Sequence, residues 1–292
     1  MIVVKLMGGL GNQMFQYAFG KMLAKKNNTH LKIDTTFLLD RTPRENFVFR
    51  DYDLDIFDLE LKSVNARKLS KIFSPEIKKK WNPFKKKYVI LNEDSFAFNT
   101  KNIISSKNSY LNGYWQSESY FKEIEAEIRD DFQIKIPLSA QALEIAKEIQ
   151  TKNSVCINFR RADYVTLKSS SETHGVTAMD FYTTAISLLS QQHDNLHFYI
   201  FSDEIEWCKE NINWDLPITF VDHSVKGPKF SNYFQLMISC NHFIIPNSTF
   251  AWWAAWLGTC KFKKVIVPKK WFLNEELQSQ TDQMHPDSWI KI

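Results

Sequence analysis

Short apolar runs alternate with helical segments over residues 154–268, and this alternation limits the folds open to the chain more than any other feature. The predicted strands cover residues 155–159, 197–201, 218–221, 243–246 and 265–268, and the predicted helices cover residues 179–189, 207–211, 233–240 and 249–257. Strands that alternate with helices favour βαβ units and a doubly wound parallel sheet. We therefore expect an α/β fold in this half of the chain.

The first residues follow the same order of elements. The sequence predicts a strand at Ile2–Leu6, a glycine-rich turn at Gly8–Gly11, a helix at Asn12–Lys26 and a strand at Leu31–Asp34. This βαβ opening predicts a second parallel sheet.

Two domains are expected from this organisation. We assign residues 1–150 to the first and residues 151–292 to the second, joined by a helix over residues 137–152, with a C-terminal tail that could pack back on the first domain. Two Rossmann-like lobes that face a cleft suit the binding of a nucleotide and a second substrate.

Composition and charge exclude several classes of protein. The apolar fraction of 44% is typical of a globular protein, and the formal charge of +4 is too small to indicate a nucleic-acid partner. The four cysteines form no C-x-x-C pair, so a reducing, cytoplasmic compartment is the simplest expectation. The chain opens without the pattern of a signal peptide, and polar residues interrupt its longest apolar run, at residues 243–257, so we predict no membrane span.

Two adjacent arginines directly follow a predicted buried strand, in the segment Asn158–Asp163. Ligands bind at the carboxyl ends of parallel strands, and the guanidinium fork matches phosphate oxygens. Arg160 and Arg161 therefore predict a phosphate site. An ion pair between an arginine and Asp163 is the alternative interpretation.

The turn before the first helix contains Gly9, Gly11, Asn12 and Gln13. Glycines allow close approach of a ligand, and amides can bind sugar hydroxyls. With Asp34 the turn also resembles part of a dinucleotide-binding fingerprint, which would indicate a nicotinamide-dependent oxidoreductase. Methionine occupies the third glycine position of that fingerprint, which weighs against this alternative.

Polar residues follow two further predicted strands. Ser202 and Asp203 follow one, and Asn247, Ser248 and Thr249 follow another just before a helix. Hydroxyls and N–H groups at a helix N-terminus can bind an anion. Capping of the following helices explains the same residues without a ligand, and the sequence leaves both interpretations open.

Two patterns resemble metal or ligand sites. Residues 51–55 contain D-x-D, but acids alternate there with apolar residues, so we predict a half-buried strand and no metal cofactor. His174 stands beside Gly175, and either a ligand contact or an ordinary loop residue fits.

Residues 62–87 carry ten basic side chains and one acid, Glu76. A solvated surface is one interpretation of this segment. The other is peripheral contact with an anionic membrane face through Lys78–Lys80 and Lys85–Lys87, near a lipid-linked glycan.

These segments together resemble the α-1,2-fucosyltransferase family. The resemblance is carried in order along the chain by residues 8–18, 113–117, 158–163, 201–203, 247–253 and 268–272. It implies a GT-B-type fold, a GDP-fucose donor, a galactose-terminated oligosaccharide or lipid-linked glycan as acceptor, and inversion without a metal.

The resemblance also implies roles for individual residues. Arg160 would stabilise the leaving diphosphate, and Asp163 would act beside it as the second catalytic residue. The implied donor-binding residues are Gly9, Gly11, Asn12, Gln13, Asn158, Arg160, Arg161, Ser202, Asp203, Asn247, Ser248 and Thr249, and the implied acceptor-side residues are Trp115, Gln116 and His174.

The chain departs from the family pattern at three positions. Asn158 replaces the usual His, Ala162 the usual Gly, and Tyr233 a frequent Asp. A different linkage, a different GDP-sugar donor and a glycan-binding relative with weak catalysis therefore remain alternatives, and the general base stays unassigned.

Overall fold

The computed structural model describes residues 1–45, 47–65, 69–70, 88–166, 171 and 173–292. Their packing forms two compact units: unit 1 comprises Met1–Pro43, Phe49–Phe132 and Asp282–Met284, and unit 2 comprises Arg44–Val48, Gln133–Thr281 and His285–Ile292. The helix expected to join two lobes packs within unit 2. The domain boundary at residue 150 stays a prediction.

Unit 1 is built on a four-stranded parallel sheet. Its strands are β1 (Ile2–Lys5), β2 (Leu31–Asp34), β3 (Val89–Asn92) and β4 (Ser109–Asn112), in the order β2-β1-β4-β3. Its helices are α1 (Leu10–Lys26), α2 (Thr36–Leu39) and α3 (Glu125–Asp131). Short 3-10 helices cover Leu54–Ile56, Thr100–Asn102, Glu118–Tyr120 and Lys122–Ile124. Helix α1 is buried along most of its surface because Met14, Phe15 and Phe19 pack into the core.

Unit 2 is built on a six-stranded parallel sheet. Its strands are β5 (Asn153–Phe159), β6 (Leu196–Ser202), β7 (Ile218–Phe220), β8 (His242–Ile244), β9 (Val265–Val267) and β10 (Ile290–Lys291), in the order β10-β9-β8-β5-β6-β7. Its helices are α4 (Ala140–Thr151), α5 (Ala162–Thr166), α6 (Met179–Ser190), α7 (Ile205–Asn211), α8 (Ser231–Ile238), α9 (Thr249–Leu257) and α10 (Glu275–Gln278), with 3-10 helices at His223–Val225 and Pro228–Phe230. The expected α/β fold with two parallel sheets is confirmed. Sequence patterns missed β3 and β4 of unit 1 and also β10, which is two residues long.

Each sheet has a point where the order of its strands reverses. Strand β5 pairs with β6 on one side and β8 on the other, and β1 likewise lies between β2 and β4. Ligands of open α/β sheets bind at such switch points, beyond the carboxyl ends of the strands. The loops that follow β1, β4, β5 and β8 are therefore where the fold favours a functional site.

The prediction of a half-buried strand at the D-x-D segment, residues 51–55, is wrong. Residues 51–53 are irregular, and a 3-10 helix follows at Leu54–Ile56. The buried side chain of Gln13 donates to the carbonyl of Asp51 at 2.8 Å and accepts from the N–H of Asp53 at 2.9 Å. These bonds satisfy backbone groups that a strand would otherwise pair in a sheet.

No helix in the described part of the chain combines the length and the apolar character needed to cross a bilayer. The lysines predicted to contact a membrane, Lys78–Lys80 and Lys85–Lys87, lie outside the described residues.

Candidate functional site

The two arginines that follow β5 are held by acids that follow β6. Arg160 Nη1 lies 2.5 Å from Asp203 Oδ2, and the other oxygen of this carboxylate accepts the backbone N–H of Arg161 at 2.9 Å. Arg161 Nε donates to Glu204 Oε2 at 3.1 Å. The carboxyl ends of the neighbouring strands β5 and β6 are thus joined by two ion pairs.

These ion pairs compensate the positive charges of two partly buried arginines. The Arg160 side chain is 25% exposed and that of Arg161 is 18% exposed, so both need nearby partners. Asp203 and Glu204 supply these partners, and each lies 43 residues from its arginine in sequence. The alternative interpretation, an ion pair between an arginine and Asp163, stays untested. Asp163 belongs to α5, and its side chain lies outside the described residues.

Aromatic rings pack beside Arg160. Its guanidinium carbon lies 5.5 Å from the ring centroid of Tyr164, which stacks on His174 with centroids 5.1 Å apart and planes 5° from parallel. His174 in turn contacts Phe272, with ring centroids 5.1 Å apart. Burial and, to a smaller degree, the charge of Arg160 lower the pKa of His174 to about 4. A neutral imidazole at this position adds no second positive charge against Arg160 near neutral pH.

Asn247 holds the segments on both sides of the unit 2 switch point. The hydroxyl of Tyr164 donates to the carbonyl of Asn247 at 2.9 Å. Asn247 Nδ2 donates to the carbonyls of His174 at 2.9 Å and Trp271 at 3.0 Å, and Oδ1 accepts from the hydroxyl of Thr177 at 3.3 Å. The amide is thus bound within the protein, and its implied contact with a nucleotide stays a prediction.

The other implied donor-site residues of unit 2 also make internal contacts. Asn158 Nδ2 donates to the carbonyl of Phe201 at 3.3 Å, and the hydroxyl of Ser202 accepts from the N–H of Glu204 at 2.9 Å. The hydroxyl of Ser248 caps α9, the helix of which the partly exposed Thr249 is the first residue. The capping interpretation therefore holds for Ser248, and a local turn bond explains Ser202.

Gly9 and Gly11 lie at the start of α1 in unit 1, with Gly9 as the N-cap and Gly11 buried in the first turn. Apart from Gly9 and its two chain neighbours, no atom of the described residues lies within 4 Å of where a Cβ at Gly9 would stand, so the space beside this backbone is open. Gln13 is fully buried and also donates to the carbonyl of Gly8 at 2.9 Å. It therefore anchors the backbone of this turn and of residues 51–53.

A side-chain bond spans the unit 1 switch point. Gln116 Nε2, after β4, donates to Asn12 Oδ1, after β1, at 2.9 Å. Trp115, by contrast, is fully buried, with its ring centroid 4.8 Å from that of Phe19 and 5.7 Å from that of Tyr120. The structure therefore brings Gln116 and Asn12 together and places Trp115 in the core, where it presents no surface to an acceptor.

Comparison with known proteins agrees with these motifs. The sequence model of the family described as glycosyl transferase family 11 matches residues 1–292. The chain belongs to glycosyltransferase family 11. An α-1,2-colitosyltransferase of Escherichia coli is 32% identical over 293 residues, which cover 100% of this chain and 98% of that protein. The O-antigen biosynthesis glycosyltransferase WbnK of Escherichia coli is 32% identical over 311 residues, which cover 98% of this chain and 99% of that protein.

A more distant relative extends the comparison. Galactoside α-(1,2)-fucosyltransferase 1 of Rattus norvegicus is 24% identical over 318 residues, which cover 98% of this chain and 77% of that protein. The resemblance drawn from the motifs is confirmed at the level of the family, and this family 11 protein is a glycosyltransferase.

Sequence patterns missed several groups around the arginines of this family 11 enzyme. Besides Glu204 and Tyr164, they include Trp207, whose ring centroid lies 3.4 Å from the guanidinium carbon of Arg161. Their only sequence signal is that each stands within five residues of a motif. Tyr233, which departs from the family pattern, is buried, and its hydroxyl donates to the carbonyl of Val221.

Among the described residues, no three His, Cys, Asp or Glu side chains come close enough together to hold a metal ion. Metal-independent transfer remains a prediction that chelation tests.

Proposed function

We propose that this glycosyltransferase transfers L-fucose from GDP-fucose to the 2-OH of a terminal galactose, with inversion at the anomeric carbon and without a metal. Family membership supports sugar transfer. The names of the relatives support an α-1,2 linkage and a fucose-like donor sugar. The acceptor would be an oligosaccharide or a lipid-linked glycan, in keeping with a relative named for O-antigen biosynthesis.

The observation that carries this proposal is the orientation of Arg160 by Asp203 at the carboxyl ends of β5 and β6. As the glycosidic bond breaks, negative charge grows on the departing diphosphate, and a fixed guanidinium there stabilises the transition state. The galactose O2 attacks the anomeric carbon on the face opposite the departing GDP as oxocarbenium-like character develops, and the proton of the 2-OH passes to a base or to solvent. In this proposal the side chain of Asp163, which follows in the same motif, assists at the reacting centre.

The donor sugar has a second candidate. Colitose is the 3-deoxy analogue of L-fucose, and a relative with 32% identity over the whole chain is named as a colitosyltransferase. A site that binds a substrate hydroxyl discriminates by roughly 10⁴ or more against an analogue without it, because its polar groups would lose their partner. Relative kcat/KM values for GDP-fucose and GDP-colitose therefore decide between the donors.

The test of the proposed function is transfer from GDP-fucose to a panel of β-galactosides, with and without EDTA. The variants are Arg160→Ala and, as a matched control, Arg129→Ala, which removes an arginine from a surface ion pair with Glu125. We expect an EDTA-resistant α-1,2 product, a loss of about 10²–10³ in kcat for Arg160→Ala, and near-normal activity for the control.

Other results would redirect the assignment. Full activity of Arg160→Ala would contradict its role at the diphosphate. Another linkage in the product, or loss of activity with EDTA, would contradict the corresponding part of the proposal. Acceptor binding with neither transfer nor hydrolysis of either GDP-sugar would indicate a glycan-binding relative.

A further inference from the structure

Glu93 lies at the carboxyl end of β3, beside the Gly113–Ser117 turn that follows β4. Its carboxylate accepts two successive backbone N–H groups, that of Tyr114 at 2.6 Å and that of Trp115 at 2.9 Å. Hydrogen bonds to an ionised acceptor are stronger than those between neutral groups. A side chain from the neighbouring strand therefore holds this turn.

The backbone of the Gly113–Ser117 turn lies close against the side chain of Glu93. A Cβ at Gly113 would lie 2.4 Å from Glu93 Cβ and 2.9 Å from its Oε2, so a side chain at position 113 would displace the carboxylate. Trp115 has a φ of 59°, in the left-handed region that bulky residues rarely adopt. The two hydrogen bonds to Glu93 and the packing of the Trp115 ring stabilise this conformation.

The turn carries Gln116, whose amide donates to Asn12 across the switch point of unit 1. Glu93 binds the backbone of Tyr114 and Trp115, the two residues that precede Gln116. It therefore acts on the Gln116–Asn12 hydrogen bond through the backbone of the turn. A change at Glu93 would therefore shift Gln116 relative to Asn12.

We propose that Glu93 is a positioning residue of the transfer reaction, whose ionised carboxylate holds the Gly113–Ser117 turn and thereby sets Gln116 against Asn12. The inference rests on the proposed function of the protein. When the carboxylate takes up a proton, its O–H oxygen becomes a donor and a poorer acceptor for a backbone N–H. The turn then loosens, and transfer becomes slower.

Titration of Glu93 falls in an accessible range. Burial raises the pKa of Glu93 to about 7, although the hydrogen bonds from Tyr114 and Trp115 lower it. Among the described residues, the charge of Glu93 acts on the phenols of Tyr114 and Tyr120, and burial, with a smaller contribution from this charge, raises the pKa of both. Both phenols therefore stay neutral through the titration of Glu93.

The test compares wild type, Glu93→Gln and the control Glu123→Gln, which changes an exposed glutamate of the same unit. The first measurement is the pH dependence of kcat/KM for a β-galactoside acceptor, with GDP-fucose as donor. We expect the wild-type value to fall as the pH drops below about 7. Glu93→Gln should lose this dependence and stay about tenfold below wild type at about pH 8, because a charged acceptor is replaced by a neutral one. The control should follow wild type.

The second measurement is hydrogen–deuterium exchange in residues 113–117, corrected for intrinsic rates. We expect protection of these amides to fall below about pH 7 in wild type and at every pH in Glu93→Gln. Two results on wild type alone would overturn the proposal, so the test does not depend on how well the variant folds. They are protection of residues 113–117 that does not change with pH, and a profile of kcat/KM against pH without an ionisation near pH 7. Loss of all transfer at every pH in a folded Glu93→Gln would also overturn it and indicate a general base. Wild type that transfers no sugar but shows the expected protection would refute the proposed function while leaving the contact intact.

Discussion

Arg160 and Asp203 form an ion pair, with 2.5 Å between Nη1 and Oδ2, although they lie 43 residues apart in sequence. The other oxygen of Asp203 accepts the backbone N–H of Arg161 at 2.9 Å. One carboxylate thus orients the guanidinium of Arg160 and fixes the backbone of the following residue. We interpret Asp203 as a group that aims Arg160, in addition to any contact with the donor.

Replacement of Asp203 should therefore act through Arg160. We expect Asp203→Asn to lower kcat/KM for the donor by up to roughly 10²-fold, because a displaced guanidinium stabilises the departing diphosphate less well. Steady-state kinetics with GDP-fucose measure the effect. Asp215→Asn, an exposed change in the same unit, should have no effect. Equal kinetics for the two variants would show that the ion pair does not orient Arg160.

Asn247 should contribute mainly to stability. Asn247→Ala leaves the carbonyls of His174 and Trp271 without their donor, and an unsatisfied buried group costs about 1–3 kcal/mol. Urea denaturation should show a lower free energy of unfolding, whereas Asn211→Ala, at an exposed helix end, should change it little. Weaker GDP binding with unchanged stability would instead support a direct nucleotide contact.

The buried position of Trp115 predicts a structural role. Trp115→Phe should lower the free energy of unfolding by about 0.5–3 kcal/mol, as expected for a smaller side chain in a packed core. The acceptor KM of the folded variant should stay within about twofold of wild type. Trp256→Phe, a buried ring of unit 2, is the matched control for a general loss of stability. A KM raised more than about tenfold at normal stability, with unchanged hydrogen–deuterium exchange in residues 113–117, would restore Trp115 to the acceptor side.

His285 should make stability depend on pH. Burial and, less strongly, the charge of Lys291 lower its pKa to about 3, from 6.5 in the unfolded chain. The unfolded state therefore takes up a proton as the pH falls through 6.5, whereas the native state resists it until about pH 3. The contribution of neutral, buried His285 to the free energy of unfolding is therefore complete above about pH 6.5 and is lost progressively as the pH falls toward 3.

The variant His285→Phe tests this dependence. A phenyl ring can occupy the site between Trp271 and Trp289, whose ring centroids lie 4.7 Å and 5.7 Å from the imidazole, and it carries no titrating group. Urea denaturation at about pH 7 and pH 5 should show a smaller loss of unfolding free energy for the variant than for wild type. His30→Gln, at an exposed histidine, should behave as wild type. An identical loss in all three proteins would contradict the assignment.

Local sequence patterns predicted helices and strands better than they predicted tertiary contacts. Helix α9 begins and ends as predicted, at Thr249 and Leu257, because its apolar residues and N-cap are local features. Gln13 is a different case, since an amide beside glycines can face a ligand or hold the backbone with equal ease. Its burial depends on residues 51–53, which meet it only in the folded chain.

The sequence by itself determined the α/β class, the presence of a parallel sheet in each half and membership of the glycosyltransferase family, because strand–helix alternation and short motifs depend on neighbouring residues. It did not predict β3 and β4, which complete the sheet of unit 1. Tertiary structure alone decided that Arg160 pairs with Asp203, that Glu93 holds the turn of Gln116, and that Trp115 lies in the core. These contacts depend on which strands are adjacent, as in the order β10-β9-β8-β5-β6-β7. Adjacency results from packing of the whole sheet, and local patterns along the chain carry no direct record of it.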